Sequence, residues 1–398
     1  MISVLARPLF TFLVIGGVSL GHGQDLSSQR LDSKLDRRAV QSAGTRSAST
    51  KEGLDISLVT SLAYDNNIFQ TPDNETASAV AQIEPTIGWT VGERDKAWLR
   101  LAYEGAVVLY LSRQEDSRID NRVTMEGGIK GKSVALAYSA RWAKLGSPSA
   151  DIGGASDRYE WGGGIEAVYS PKGKVSYIVS ADRSVIDLVE PGFFDFYQSS
   201  FGIAAAYRYS PKTEVELAYR IGKIEVDGAG SQTYQRFGTQ VNWAPRSKLR
   251  FSLAGGLEHR NYESGSGSEP YLAARVDWTP RAKTAFFLEA YRREETSSAL
   301  EGENYKLVGI RAGVNQRLRD GWSVALEAGR ESADYFNVVG GDSSGREDTI
   351  TYIRPSVRYA LSEDAEIAFL YQWSKNDSSD PGFGYSNQQL GLSMNYRF

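Results

Sequence analysis

The chain has 398 residues, a formal net charge of −4, no Cys, 40 Gly, 22 Tyr and 8 Trp. Mean hydropathy is −0.38. No apolar run reaches the roughly 18 residues of a spanning helix, which excludes a helical membrane protein but leaves a transmembrane β-barrel open, because lumen-facing polar residues dilute a barrel's hydropathy. Zero Cys excludes disulfides, thiolate nucleophiles and thiolate metal sites, and the near-neutral charge gives no reason to expect nucleic acid as a partner.

Residues 1–23 read as a signal peptide. Arg7 supplies the positive n-region, Leu9 to Leu20 the apolar core, and Gly21 to Gly23 a small-residue exit. Residues 24–53 are polar, rich in Ser, Arg and Gln, and hold no lasting period; they read as a disordered periplasmic extension. From residue 54 to 398 the pattern becomes regular. About eighteen alternating segments have the length and spacing of barrel strands. They begin near residues 54, 77, 96, 118, 133, 157, 174, 194, 213, 232, 248, 268, 283, 304, 322, 347, 365 and 385.

Every second connection is tight: 92–96, 131–132, 171–174, 211–212, 245–248, 280–283, 319–321 and 361–364. The intervening ones are longer and rich in Gly, Ser and Asp, for example 66–76, 144–156, 263–269, 336–346 and 376–384. Sorting of short turns from long loops by parity predicts an up-and-down antiparallel barrel with periplasmic turns and extracellular loops. The aromatics agree. Trp89 and Trp98 flank the first tight turn, Tyr169, Tyr209, Trp243 and Trp278 each precede a Pro-Lys or Pro-Arg turn, Trp322 follows one turn and Tyr359 precedes the next. Rings at one level make a girdle at the membrane–water interface. Pro85 and Pro355 interrupt two segments, and proline's missing donor predicts a bulge at each.

Side-chain parity separates the faces. Phe286, Leu288 and Ala290 oppose Glu289, Tyr291 and Arg293; Val308, Ile310, Ala312 and Val314 oppose Arg311, Gly313, Asn315 and Arg317. A charge on the lipid face costs about 2–4 kcal/mol at the bilayer midplane, so the polar set points inward. The expected pore lining includes Arg100, Glu104, Arg220, Arg236, Arg250, Arg275, Glu289, Arg311, Glu327, Arg354 and Arg358. Part of this set is expected to form ion-pair ladders that only brace the wall. An interior bounded by about eighteen strands is too wide for side chains alone to fill, so an aqueous channel follows unless loops fold in, and 144–156 and 336–346 are the candidates.

Catalysis has little support. Beyond the leader the only His is His259, which leaves neither a two-His metal site nor the usual triads, and no carboxylate pair has a spacing that singles it out. No cofactor is expected. The loop at 66–76 carries oxygen donors of the kind that bind Ca²⁺, but its composition reads first as a turn rich in Asx residues.

The last strand alternates without a miss from Leu390. Leu390, Leu392, Met394, Tyr396 and Phe398 share one face, and Gln389, Gly391, Ser393, Asn395 and Arg397 the other. It resembles the closing strand of bacterial outer-membrane barrels, and Tyr396 with Phe398 resembles the signal read by the barrel-insertion machinery. A first strand ending in Tyr64-Asp65-Asn66-Asn67-Ile68-Phe69, a short polar loop and a second strand through Ile83-Glu84-Pro85 resemble the type 2 family of β-barrel porins over residues 54–111. Members often accompany exopolysaccharide assembly genes. The resemblance implies an outer-membrane barrel and a route for exported polysaccharide, with a periplasmic polysaccharide-export protein as partner; a passive pore for small hydrophilic solutes is the other channel reading. The alternative is a structural or adhesive barrel with a closed pore and partner-binding loops.

Overall fold

The computed structural model describes residues 52–398 apart from 150, 172, 229 and 341. The expected leader and most of the expected extension lie outside the described residues. Eighteen long strands follow one another: β1 Gly53–Asp65, β2 Ser78–Gly92, β3 Ala97–Tyr110, β4 Arg118–Lys130, β5 Val134–Leu145, β6 Arg158–Tyr169, β7 Val175–Leu188, β8 Phe196–Ser210 and β9 Thr213–Val226. The second half comprises β10 Ser231–Arg246, β11 Leu249–Tyr262, β12 Gly265–Arg281, β13 Thr284–Thr296, β14 Glu303–Arg317, β15 Trp322–Asn337, β16 Glu347–Ala360, β17 Ala365–Ser378 and β18 Tyr385–Arg397. Each expected start lies within three residues of an observed one, because a period of two is a strong signal over twelve or more residues.

Every strand pairs antiparallel with its chain neighbours, and β18 returns to pair with β1 from Ser57↔Arg397 to Asp65↔Gln389. The sheet therefore closes and has no free edge, the condition for a sheet to cross a bilayer with every backbone group satisfied. The Phe398 N–H donates to the Ile56 carbonyl at 3.0 Å and ends the seam. At the loop end the seam is tied by side chains. Asp65 accepts from the Asn67 backbone N–H (2.9 Å), Asn387 Nδ2 (2.6 Å) and Gln389 Nε2 (2.7 Å), while Asn67 Nδ2 donates to the Ser386 carbonyl (3.1 Å). The Asx-rich stretch thus joins the first strand to the last. Its carboxylate is directed at N–H donors, and the Asn67 Oδ1 accepts from the Thr71 backbone N–H (3.1 Å), the geometry of an Asx turn.

Two expectations need correction. Pro85 and Pro355 make no bulge. On their imino side the ladder skips two residues, yet the register is the same before and after, Ile83↔Val107 continuing as Thr86↔Glu104 and Ile353↔Trp373 as Ser356↔Leu370. On the other side Pro85 pairs with Leu58 and Pro355 with Leu326. A single missing donor is absorbed because neighbouring strands hold both flanks. Register shifts occur instead at Arg208/Ser210, Trp243/Arg246 and Trp278/Arg281, beside the Pro-Lys and Pro-Arg turns, where a strand end is free to bend. The loop expected over 263–269 is only Glu263-Ser264, since β12 starts at Gly265 and pairs with β11 to its tip.

Candidate functional site

The outer wall comes first, because it decides which side is inside. Leu217, Phe237, Leu253, Leu257, Ile310, Leu326, Phe369 and Leu392 are exposed on strands around the ring, whereas the residues that alternate with them are buried or half-buried and include Glu216, Arg236, Ser252, Glu258, Arg311 and Glu327. This is the inverse of a water-soluble sandwich. Near the short turns rings pair across strands, Trp243 with Phe251 (5.0 Å between centroids), Trp278 with Phe286 (5.3 Å) and Trp322 with Tyr359 (4.8 Å), and at the end of β18 Tyr396 meets Phe398 (4.8 Å). A second level of exposed rings, Tyr64, Trp142, Tyr159 and Trp161, lies toward the loops. An apolar band between two aromatic levels matches a hydrocarbon core between two interfaces. The chain is an outer-membrane β-barrel.

Inside, the wall carries ion pairs that run from strand to strand. On β10 and β11, Arg236 Nε donates to Glu258 Oε2 (2.5 Å), and the other Glu258 oxygen accepts from Arg260 Nε (2.5 Å). Arg260 continues to Glu294 on β13. Lower on the wall, Arg275 Nη1 donates to Glu289 Oε2 (2.6 Å), and Arg311 Nη2 to Glu289 Oε1 (2.7 Å), so one carboxylate joins β12 and β14. Arg220 meets Asp182 (2.5 Å) and the Ser200 hydroxyl across three strands. Arg100 donates to Asp55 (2.9 Å) and Thr90 Oγ1 (3.1 Å). The guanidinium of Arg236 stacks over Tyr271 and that of Arg275 over Phe287. Each of these charges has an opposite charge and further hydrogen bonds, as low-dielectric burial demands.

The expected lining set therefore divides. Arg220, Arg236, Arg275, Glu289 and Arg358 are almost fully buried in the wall. Arg250 stands opposite Asp277 near the turn end. Glu104, paired with Arg122 at 3.3 Å, is half exposed, and Glu327, paired with Arg354 at 3.7 Å, is 35% exposed. Arg311 is 24% exposed despite its bond to Glu289. These groups reach the lumen. The Tyr291 ring does not: it is buried, and its hydroxyl donates to Glu331.

The long loops were expected to be able to fold in, and two do. The 146–157 loop leaves β5 and β6 and docks on β15 and its neighbours; β6 and β15 are nine strands apart, half of the ring of eighteen. Its Asp151 accepts from Ser297 Oγ (2.8 Å), the Ser298 backbone N–H (2.8 Å) and the Tyr335 hydroxyl (3.0 Å). Arg346 Nη1 donates to the Asp151 carbonyl at 2.9 Å, while the same guanidinium pairs with Asp348 and lies 3.5 Å from the Phe383 ring centroid. Gly153, at φ +77, sits where a Cβ would meet that ring at 2.6 Å. From the 338–346 loop, Val339 packs on the buried group of Ile186, Phe196, Ile224, Val226 and Tyr234 across the mouth. Below the latch Tyr291, Tyr305, Leu307, Ala333, Tyr335 and Ile350 form an inward apolar tier. Parity alone could not single out Asp151, whose partners are 146 to 195 residues away.

No protein-family profile and no curated protein matches the sequence. Among solved structures, OccK1 (OpdK) of Pseudomonas aeruginosa is 11% identical with a TM-score of 0.44, over 87% of this chain and 98% of that one. OccAB3 of Acinetobacter baumannii is 10% identical with a TM-score of 0.46, over 87% and 99%. The siderophore receptor PirA of Acinetobacter baumannii is 7% identical with a TM-score of 0.46, over 88% and 81%.

Proposed function

We propose that the barrel is a porin-like channel for small hydrophilic solutes, with an outer mouth held shut by the Asp151 latch until the loop swings aside. One observation carries the reading: the charged pairs Glu104–Arg122 and Glu327–Arg354, with Arg311, stand partly exposed inside a wall whose outer face is apolar. Charges of both signs make a hydrated passage and favour neutral or zwitterionic solutes over either ion. In the same reading residues 1–23 are an export leader, 24–53 a periplasmic extension, and the seam strand ending at Phe398 the group read during insertion. No step here needs an enzyme's chemistry or a cofactor.

A glycan conduit is the second reading, supported by the first hairpin, whose Asp65-Asn66-Asn67 stretch resembles the type 2 porins. Loss of surface polysaccharide in a deletion strain would favour it, and unchanged polysaccharide would remove it. The channel itself is tested in vesicles. Vesicles carrying the protein should swell in isosmotic arabinose faster than empty ones. Swelling no faster than in empty vesicles would leave the closed, structural barrel.

A further inference from the structure

The short turns between β6 and β13 share one design. Tyr169-Ser170-Pro171, Tyr209-Ser210-Pro211, Trp243-Ala244-Pro245 and Trp278-Thr279-Pro280 each place a ring two residues before a proline and basic residues just after it. Lys174, Lys212, Arg246, Lys248, Arg281 and Lys283 are all exposed there, and no acidic residue lies within the turn segments 170–174, 211–212, 244–248 and 279–283. The lysines are aimed along the rim. Lys174 Nζ donates to the Tyr209 carbonyl (3.4 Å), Lys212 Nζ to the Pro245 carbonyl (2.9 Å) and Lys248 Nζ to the Pro280 carbonyl (3.0 Å). Each ammonium thus rests between two turns, at the foot of the lipid-facing rings, and has donors left over.

The flanking turns extend the positive stretch, β4–β5 with exposed Lys130 and Lys132 and β14–β15 with Arg317 and Arg319 against Asp320, and the remaining two turns are different. The turn between β16 and β17 carries Glu363 and Asp364, and in the turn between β2 and β3 Lys96 is neutralised by Glu93 at 2.8 Å. Net positive charge therefore runs in one arc, from the β4–β5 turn to the β14–β15 turn and densest in the four Pro turns, at the depth the aromatic girdle assigns to headgroups. We propose that this arc binds anionic phospholipid headgroups of the periplasmic leaflet, the phosphate lying between neighbouring turns and the acyl chains against Tyr209, Trp243 and Trp278. A cation beside an anionic lipid surface gains from the local potential, and salt weakens that gain.

The test is quenching of tryptophan by brominated lipid in vesicles holding the full chain. One variant keeps Trp243 and Trp278, with the other six of the eight tryptophans changed to Phe; a second keeps only Trp89, exposed beside the β2–β3 turn, where Glu93 and Asp95 balance Arg94 and Lys96. Brominated phosphatidylglycerol should quench Trp243 and Trp278 about twofold more strongly than brominated phosphatidylcholine at low salt. High salt, or Lys212→Gln with Lys248→Gln and Lys283→Gln, should remove the difference, and Trp89 should show none. Should the tryptophan variants fail to insert, native mass spectrometry of the unaltered chain gives an independent readout, with phosphatidylglycerol adducts outnumbering phosphatidylcholine ones from vesicles of equal parts. Equal quenching by both lipids, equal adducts, or a preference surviving loss of the lysines would overturn the proposal. Equal quenching would instead leave the rim to an acidic protein partner.

Discussion

The interior charges show why a lone residue type says little about its role. Arg236 and Arg260 are both buried, and Glu258 between them is their common counter-ion. Glu258→Gln keeps the shape and removes that charge, leaving two guanidinium groups in a low-dielectric wall. Breaking such a pair costs about 3–5 kcal/mol. We expect the folded form to lose its resistance to urea at a clearly lower concentration, followed by the mobility shift of folded barrels on unheated gels. By contrast, Glu104→Gln, at a half-exposed pair, should move that midpoint little, since exposed pairs contribute about 0–1 kcal/mol. Equal losses in the two variants would contradict the division of the wall into bracing and lumen-reaching charges.

At the scale of strands and loops, much was legible and the reasons are physical. A strand with one lipid face and one polar face must alternate, so residues 54–398 announce their strands, their turns and the inward parity of Glu289 or Arg354. Parity is a property of one strand. Which charges meet depends on register between strands, so the bond of Glu289 to both Arg275 and Arg311 could not be read, nor that Tyr291 would be covered and held by Glu331. The prolines misled for the same reason. Pro85 lacks its own donor, but the unbroken pairing of β1 with β2 on its other side holds the register. Orientation is testable on a chain with no Cys of its own. A cysteine at Ser266, at the exposed loop end of β12, should react with an impermeant maleimide on intact cells, and one at Ala282, in an exposed short turn, should react only after lysis. The reverse pattern would invert the barrel.

For the whole molecule, closure has two parts. The sheet closes through the β1–β18 seam, tied by Asp65 at one end and by Phe398 at the other. The mouth closes through a loop that reaches the opposite wall. The first is set by pairing between strands and is permanent. The second includes four hydrogen bonds converging on Asp151, three of them to its carboxylate, beside the packing of Val339 across the mouth. Each such bond is worth about 1 kcal/mol net, more where a charge takes part. In the proposed reading the barrel supplies a hydrated tube, and the loops decide when it is continuous. The most direct measurement is therefore a planar-bilayer recording of the unaltered chain beside Asp151→Ala. Discrete conductance steps are expected in both, with the open state occupied at least several-fold longer in the variant. Silent bilayers with both proteins, each inserted and folded, would contradict it.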